Sequence, residues 1–421
     1  VGGAQEPIGG EMNRNQLILL IVIGVVVGGI GLTLSRRQEA SWKDASQRMG
    51  QKVLASFDVN AVETVEIRGG GGGSLTLAKK DDAWGVAERG GYPANFGNIH
   101  DFLLKLMDLK VTQPVRAGGA QLARMELVAP DKGGTNSGTL ITLKDKGGKA
   151  ITSILLGKKN LKESGSSSPF GGGAWPNGRY VMVPGDESSV ALVSEAFASA
   201  EPKPEEWLDK DFLKVEKLRS VAVTTAQATN SWKLSRETEN GEWKMADAKP
   251  GENLDTGKTS SLNYLLTSAS FHDVAPPGKK DEETGLDKPV VAKLATFDGF
   301  NYELKIGKAD AESRYYVRVS ASADIPKERT PGKDEKPEDK DKLEKEFKDK
   351  VTKAQEKLKR EQFFGKWTYL VDKWSVDNLL KERREFMAEK KDDSKKDDSK
   401  KDDAGKAVDL DAVPSLPGLP K

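Results

Sequence analysis

The side chains able to do chemistry are few and scattered. There are two histidines, His100 beside the apolar face of a predicted helix and His272 next to Asp273 after a second one. Neither belongs to an HExxH or similar metal-binding spacing, so both read as structural residues. Cysteine is absent, which removes a thiol nucleophile, a cysteine metal site, a disulfide framework and a lipid-anchoring lipobox. No Gly-x-Ser-x-Gly elbow, Ser-x-x-Lys pair or kinase-type set occurs. The run Gly69–Gly73 joins two predicted strands and lacks the Lys-Ser/Thr of a phosphate loop, so it reads as a hairpin turn. The acidic residues fall mainly in solvated charge runs. The sequence therefore predicts no catalytic residue, no metal site and no cofactor. What remains is contact chemistry. Trp175, in the predicted Gly-rich loop 170–176, is the candidate exposed aromatic, and Leu343, Phe347, Val351 and Leu358 are the candidate partner-binding seam of a charged helix.

The elements that would position these residues come in two sets with one order. In the first, Val65 and Ile67 mark a strand, Leu75 and Leu77 its partner, and Trp84 a third. Tyr92-Pro93-Ala94-Asn95 then leads into an amphipathic helix bearing Ile99, Leu103 and Leu106. The stretches 111–115, 140–143, 151–156 and 180–183 follow as strands, and Ser189–Phe197 is predicted as a closing helix. In the second set Val221 and Val223 match Val65 and Ile67, and Trp243 matches Trp84. Leu262–Leu266 matches Ile99–Leu103, and Gly307-Lys308 echoes Gly157-Lys158. Recurrence makes Trp84 and Trp243 packing residues rather than sugar-stacking ones. Trp374–Phe386 is the second closing helix. An insertion at 326–364 has no counterpart in the first set. Its Pro-, Lys-, Asp- and Glu-rich opening reads as a disordered loop, and the rest as a helix packed on its own domain.

The expected fold class is thus α+β, with two tandem copies of an antiparallel-sheet-plus-helix module behind one N-terminal transmembrane helix. The expected division is a leader at 1–11, an anchor at 12–37, a helical connector at 38–55, modules at 56–200 and 213–388 around a linker at 201–212, and a disordered tail at 389–421. Leu17–Leu34 is eighteen residues without a charge; at about 1.5 Å per residue these nearly span a hydrocarbon core of about 30 Å. The small residues of an Ala-x-Ala cleavage site do not follow, so the span reads as a retained anchor in the lipid bilayer. Gly24 and Gly28 have the small-xxx-small spacing of close helix packing. Arg36, Arg37, Lys43 and Arg48 follow the span, and a count of positive charges would place the modules in the cytoplasm.

Composition excludes one broad class. The 66 basic and 65 acidic side chains cancel, so the chain lacks the basic excess of a nucleic-acid binder. With 36% hydrophobic and 31% charged residues, part of the chain must lie outside any core.

The uncleaved span, Trp84-Gly85-Val86, Tyr92–Asn95, the Leu-rich helix and Gly285-Leu286-Asp287-Lys288-Pro289 together resemble the bacterial domain-of-unknown-function 4340 family over most of residues 12–388. Glu126-Leu127 departs from the Gly-Leu of that pattern. The resemblance implies a membrane-anchored extracytoplasmic protein of the bacterial cytoplasmic membrane, in the setting of ABC transport and gliding-type components, and it carries over no catalytic residue. The expected function is a non-catalytic accessory or scaffold subunit of an envelope complex, with an ABC permease or ATPase as protein partner and no nucleic acid. Two alternatives come from other classes: a binding module for cell-wall glycan using Trp175, and a hydrolase with carboxylates assembled in space.

Overall fold

A computed structural model describes residues 26, 29, 47–132, 134, 136–163, 174–250, 252–332 and 335–388. The first module comprises β1 (Thr64–Arg68), β2 (Ser74–Lys80), β3 (Ala83–Val86), β4 (Tyr92–Pro93), α1 (Phe96–Met107), β5 (Val111–Pro114), α2 (Ala120–Arg124), β6 (Thr139–Lys144), β7 (Ala150–Glu163), β8 (Ala174–Val183) and β9 (Asp186–Val193). The second comprises β10 (Leu218–Thr224), β11 (Trp232–Ser235), β12 (Lys244–Met245), α3 (Thr256–Ser260), β13 (Asp273–Val274), α4 (Asp281–Thr284), β14 (Val290–Thr296), β15 (Phe300–Ala309), β16 (Arg314–Ala323), α5 (Lys340–Phe363), β17 (Thr368–Asp372) and α6 (Lys373–Leu380). The fold is mixed α+β with two antiparallel sheets.

Strand order repeats from sheet to sheet. The first runs β4-β3-β2-β1-β6-β7-β8-β9-β5 and the second β12-β11-β10-β14-β15-β16-β17-β13. Each chain segment after the module's first helix crosses to the far edge before returning to the centre. Register carries the repeat to single residues. Val65 pairs with Leu77 and Leu143, as Val221 pairs with Leu234 and Leu294. Val86 pairs with Leu77, as Met245 pairs with Leu234, which puts Trp84 and Trp243 at the same place. Both tryptophans are buried. At Gly157 and Gly307 a side chain would run into the carbonyl oxygen of Met125 or Thr284, the same close approach in each copy.

The structure changes several sequence expectations. Ser189–Phe197 is not a helix; β9 fills most of it, with Ala191 and Val193 in the main core and Val190 in a second cluster on the sheet's other face. Burial on both faces gives an unbroken apolar run, which periodicity cannot separate from a short helix. The second amphipathic helix is shorter than the first. It is the five-residue α3 followed by a 3-10 turn at Ser261–Tyr264, in keeping with the weak helix formers Thr, Gly, Ser and Asn there. Its register also differs. The amides of Ile99 and Thr259 donate to Asn95 O and Asp255 O, so Thr259 stands where Ile99 does and Leu262 where Phe102 does. The second closing segment is α6 plus a 3-10 turn at Arg383–Phe386 rather than one helix.

The stretch 201–212 is packed, with Trp207, Leu208 and Phe212 buried. Asn95 N donates to Trp207 O as Asp255 N donates to Phe386 O, so each module is closed by a returning turn at its helix start. Helix α5 enters between β16 and β17, where the first module has only the Gly185 turn of β8–β9. The loop before α5 is not loose over its described residues: Arg329 grips Glu335 through both guanidinium nitrogens, one at 2.6 Å, and its Nε lies 3.4 Å from Glu344 of α5. Among the described residues no helix is long and apolar enough to cross a membrane. Apart from Val26 and Gly29, the expected span 17–34 lies outside them, as do Gly24, Gly28 and the tail from 389.

Candidate functional site: the cleft under helix α5

Helix α5 is highly charged, and its less polar residues fall on one stripe. Leu343, Phe347, Val351, Ala354, Leu358 and Glu361 are spaced by three or four residues, which puts them on one face. The far end of that stripe is fixed. Ala354, Leu358 and Phe363 pack against the core, and Phe364 beyond the helix is buried. Phe347 and Val351 instead form one wall of a cleft of about 440 Å³, opposite Phe300, Ile325 and Pro326. Lys350, Lys353 and Lys357 also line it, with Asp298 as the one carboxylate. Leu343 is half-buried and lies outside the cleft wall.

Near the cleft sits Glu361, the one buried carboxylate among the described residues, 1% exposed. Its Oε2 accepts a hydrogen bond from the Tyr302 hydroxyl at 2.6 Å. Oε1 has no hydrogen-bond partner and faces Lys357 Nζ at 3.9 Å. Lys357 Nζ also lies 4.0 Å from Asp298 and 4.4 Å from the centre of the Phe300 ring. Burial pushes the Glu361 carboxyl above its ordinary value, against the pull of Tyr302 and Lys357. Burial likewise pushes the Tyr302 phenol up. The sequence pattern shows α5 and its stripe but not this acid, because a glutamate in a Lys/Glu-rich helix carries no local mark of burial.

The other residues singled out in the sequence fall elsewhere. Trp175 lies in β8, paired with Lys162 of β7; its side chain is outside the described residues. His100 is exposed on α1, with its Nδ1 3.9 Å from Asp101. His272 immediately precedes β13, its amide donating to Leu370 O and its carbonyl accepting from Lys210. Trp243 donates its indole N–H to Asn263 Oδ1 at 3.0 Å, under the Arg236 guanidinium. Among the described residues no group of His, Asp and Glu is arranged to hold a metal ion.

The motif residues form a joint. Tyr92 inserts between the modules, edge-on to Phe271, Trp367 and Tyr369 at centroid distances of 5.6, 4.9 and 6.0 Å. Pro93 O accepts from Asp209 N, and Ala94 pairs with Leu208. Asn95 caps α1 by accepting from Asn98 N at 3.0 Å. Beside this aromatic cluster Arg89 of the first module holds Asp273 of the second through two bonds of 2.8 Å. Gly285 ends α4 in the left-handed conformation, φ 73°, and Leu286 is buried.

Residues 84–289 match the family described as Domain of unknown function (DUF4340). The chain carries a DUF4340 domain. No curated protein and no solved structure matches it. The matched span starts at β3 of one module and stops just before β14 of the other. It therefore contains Tyr92, Phe271, Arg89 and Asp273 of the joint and the closing turn of the first module, while Trp367 and Tyr369 lie beyond it.

Proposed function

We propose that this DUF4340-domain chain is a non-catalytic scaffold, an accessory subunit of a bacterial envelope complex held at the cytoplasmic membrane by residues 17–34 with its modules on the extracytoplasmic side. The cleft under α5 is its docking surface, and the occupant is an apolar segment carrying acidic residues on an extracytoplasmic part of an ABC permease subunit. The observation that carries this reading is the cleft: Phe347, Val351, Phe300 and Ile325 form an apolar seat beneath Lys350, Lys353 and Lys357. Apolar surface supplies the attraction, and three lysines favour a partner with the complementary charge. An insertion that presents such a seat at one end while its other end is anchored in the core is suited to holding a partner.

The test leaves the anchored end of α5 intact, since removing Leu358 or Phe364 would open the core. The full-length chain and its Phe347→Asp/Val351→Asp variant are purified from gently solubilised native membranes, and the co-purifying subunits are identified. A stoichiometric permease with the parent chain, lost with the variant, is the expected result. The same partner retained by the variant, or none with the parent chain, overturns the reading.

A further inference from the structure

A second cleft opens at the joint between the modules, and its chemistry is the opposite of the first. Its volume is about 290 Å³. The walls are Arg89 and Gly90 from the first module, residues 275–279 after β13, Arg318 of β16, and Lys366 to Thr368 leading into β17. Four cations line it. Two are answered: Arg89 by Asp273, with Glu205 at 3.9 Å, and Arg318 by Asp281 at 2.9 Å and by Thr368 Oγ1 at 3.2 Å. The other two are not. Lys279 Nζ donates to the Tyr316 hydroxyl at 2.6 Å, and Lys366 Nζ lies 5.2 Å from the centre of the Phe363 ring. Among the described residues neither ammonium has a carboxylate within ion-pairing distance. Thr368 accepts from Arg318, so its own proton is left to donate.

We infer that this cleft binds the phosphoryl group of a small ligand, with Lys279 and Lys366 as its charge partners and Thr368 as a hydrogen-bond donor. Two ammonium groups call for about two negative charges, which one phosphoryl dianion supplies with several acceptor oxygens. Lysine serves as a point-charge partner for phosphate, and the guanidiniums, already forked onto carboxylates, hold the cleft's shape. A volume of about 290 Å³ leaves room for a small organic group beside the phosphoryl. One wall comes from the first module and the rest from the second, so an occupied cleft ties the two together. Clefts between packed units are common ligand sites. This inference does not depend on the docking surface under α5.

The test is isothermal titration of the protein with inorganic phosphate and pyrophosphate, and with succinate as a dicarboxylate of similar charge, all at matched ionic strength. Saturable binding of phosphate or pyrophosphate, weakened at least about tenfold by Lys279→Ala/Lys366→Ala and unchanged by Lys80→Ala at the end of β2, outside the cleft lining, is the expected result. Both lysines are exposed, so the double variant should keep the parent melting temperature without ligand; if it does not, Lys366→Ala alone carries the comparison. No saturable binding, or equal binding by the lysine variant, overturns the inference. Succinate binding as tightly as phosphate overturns the phosphoryl assignment.

Discussion

Tyr92 and Glu252 stand at the same place in the two modules. Each lies two residues before an equivalent bridge, Ala94 with Leu208 and Leu254 with Met387, and three before a helix cap, Asn95 and Asp255. Tyr92 is 1% exposed among Phe271, Trp367 and Tyr369. Glu252 instead pairs with Arg383 at 2.7 Å, beside Asp247. The first module's edge is covered by the second module, so burial rewards an aromatic ring; the corresponding edge of the second module carries ions instead. One backbone position thus serves as a joint in one copy and as a surface clasp in the other. The shared strand order supplies the frame, and the neighbour decides the side chain.

The largest effect should come from breaking the joint. Tyr92→Ala removes a fully buried ring and should cost about 3–5 kcal/mol, with urea unfolding, followed by the fluorescence of the tryptophans, changing from one transition to two. A single undisturbed transition would mean that the modules do not depend on this ring. Next comes the ion pair beside it. Arg89→Ala leaves Asp273 part-buried without its fork and should cost about 1–3 kcal/mol, less than Tyr92→Ala in the same measurement.

The caps sharpen the comparison because they lie in equivalent places and do equivalent work. Asn95→Ala and Asp255→Ala should each cost about 1 kcal/mol. A difference of more than about twofold between them would show that the two helix starts are not energetically alike. A difference toward a larger Asp255 effect is the one to watch, since Asp255 accepts from both Gly257 and Lys258.

The smallest effects are set by pH, and the two unusual glutamates should act in opposite directions. Arg383 holds Glu252 down to about 2, so its contribution is present above the ordinary glutamate value and is lost as pH falls through about 2. Glu361 is raised by burial. The folded state therefore holds its proton more tightly than the unfolded chain does, and this group's contribution declines as pH rises above the ordinary glutamate value. Glu361→Gln should remove that decline and stabilise the protein at pH 8 by about 1 kcal/mol, while leaving its stability near pH 4 little changed. Melting temperatures of both proteins from pH 4 to pH 8 check this; parallel curves would refute the assignment.

Much of this architecture was legible in the chain because it rests on local or recurring signals. The alternation at Val65 and Ile67 and its return at Val221 and Val223 each act within a few residues or recur in order. The apolar stripe of α5 was legible for the same reason, and with it three of the four seam residues now found against the cleft or the core: Phe347, Val351 and Leu358. Leu343 fits the periodicity equally well, yet it lies outside the cleft wall, because spacing reports a face and not what covers it.

The sequence by itself determined the two-module plan, the faces of the strands implied by alternation, and the near balance of charge. Only the tertiary structure decided that Ser189–Phe197 is mainly a strand covered on both faces, that Tyr92 joins the modules, that Glu361 alone among the acids of α5 is buried, and that Lys279 and Lys366 line one cleft. Each of these depends on residues far apart in the chain: Tyr92 meets Trp367, and Lys279 and Lys366 line the same cleft. Periodicity encodes which face of an element is apolar. What comes to lie against that face is fixed when the sheets close on each other, and desolvation and charge pairing then act on whatever has been brought together.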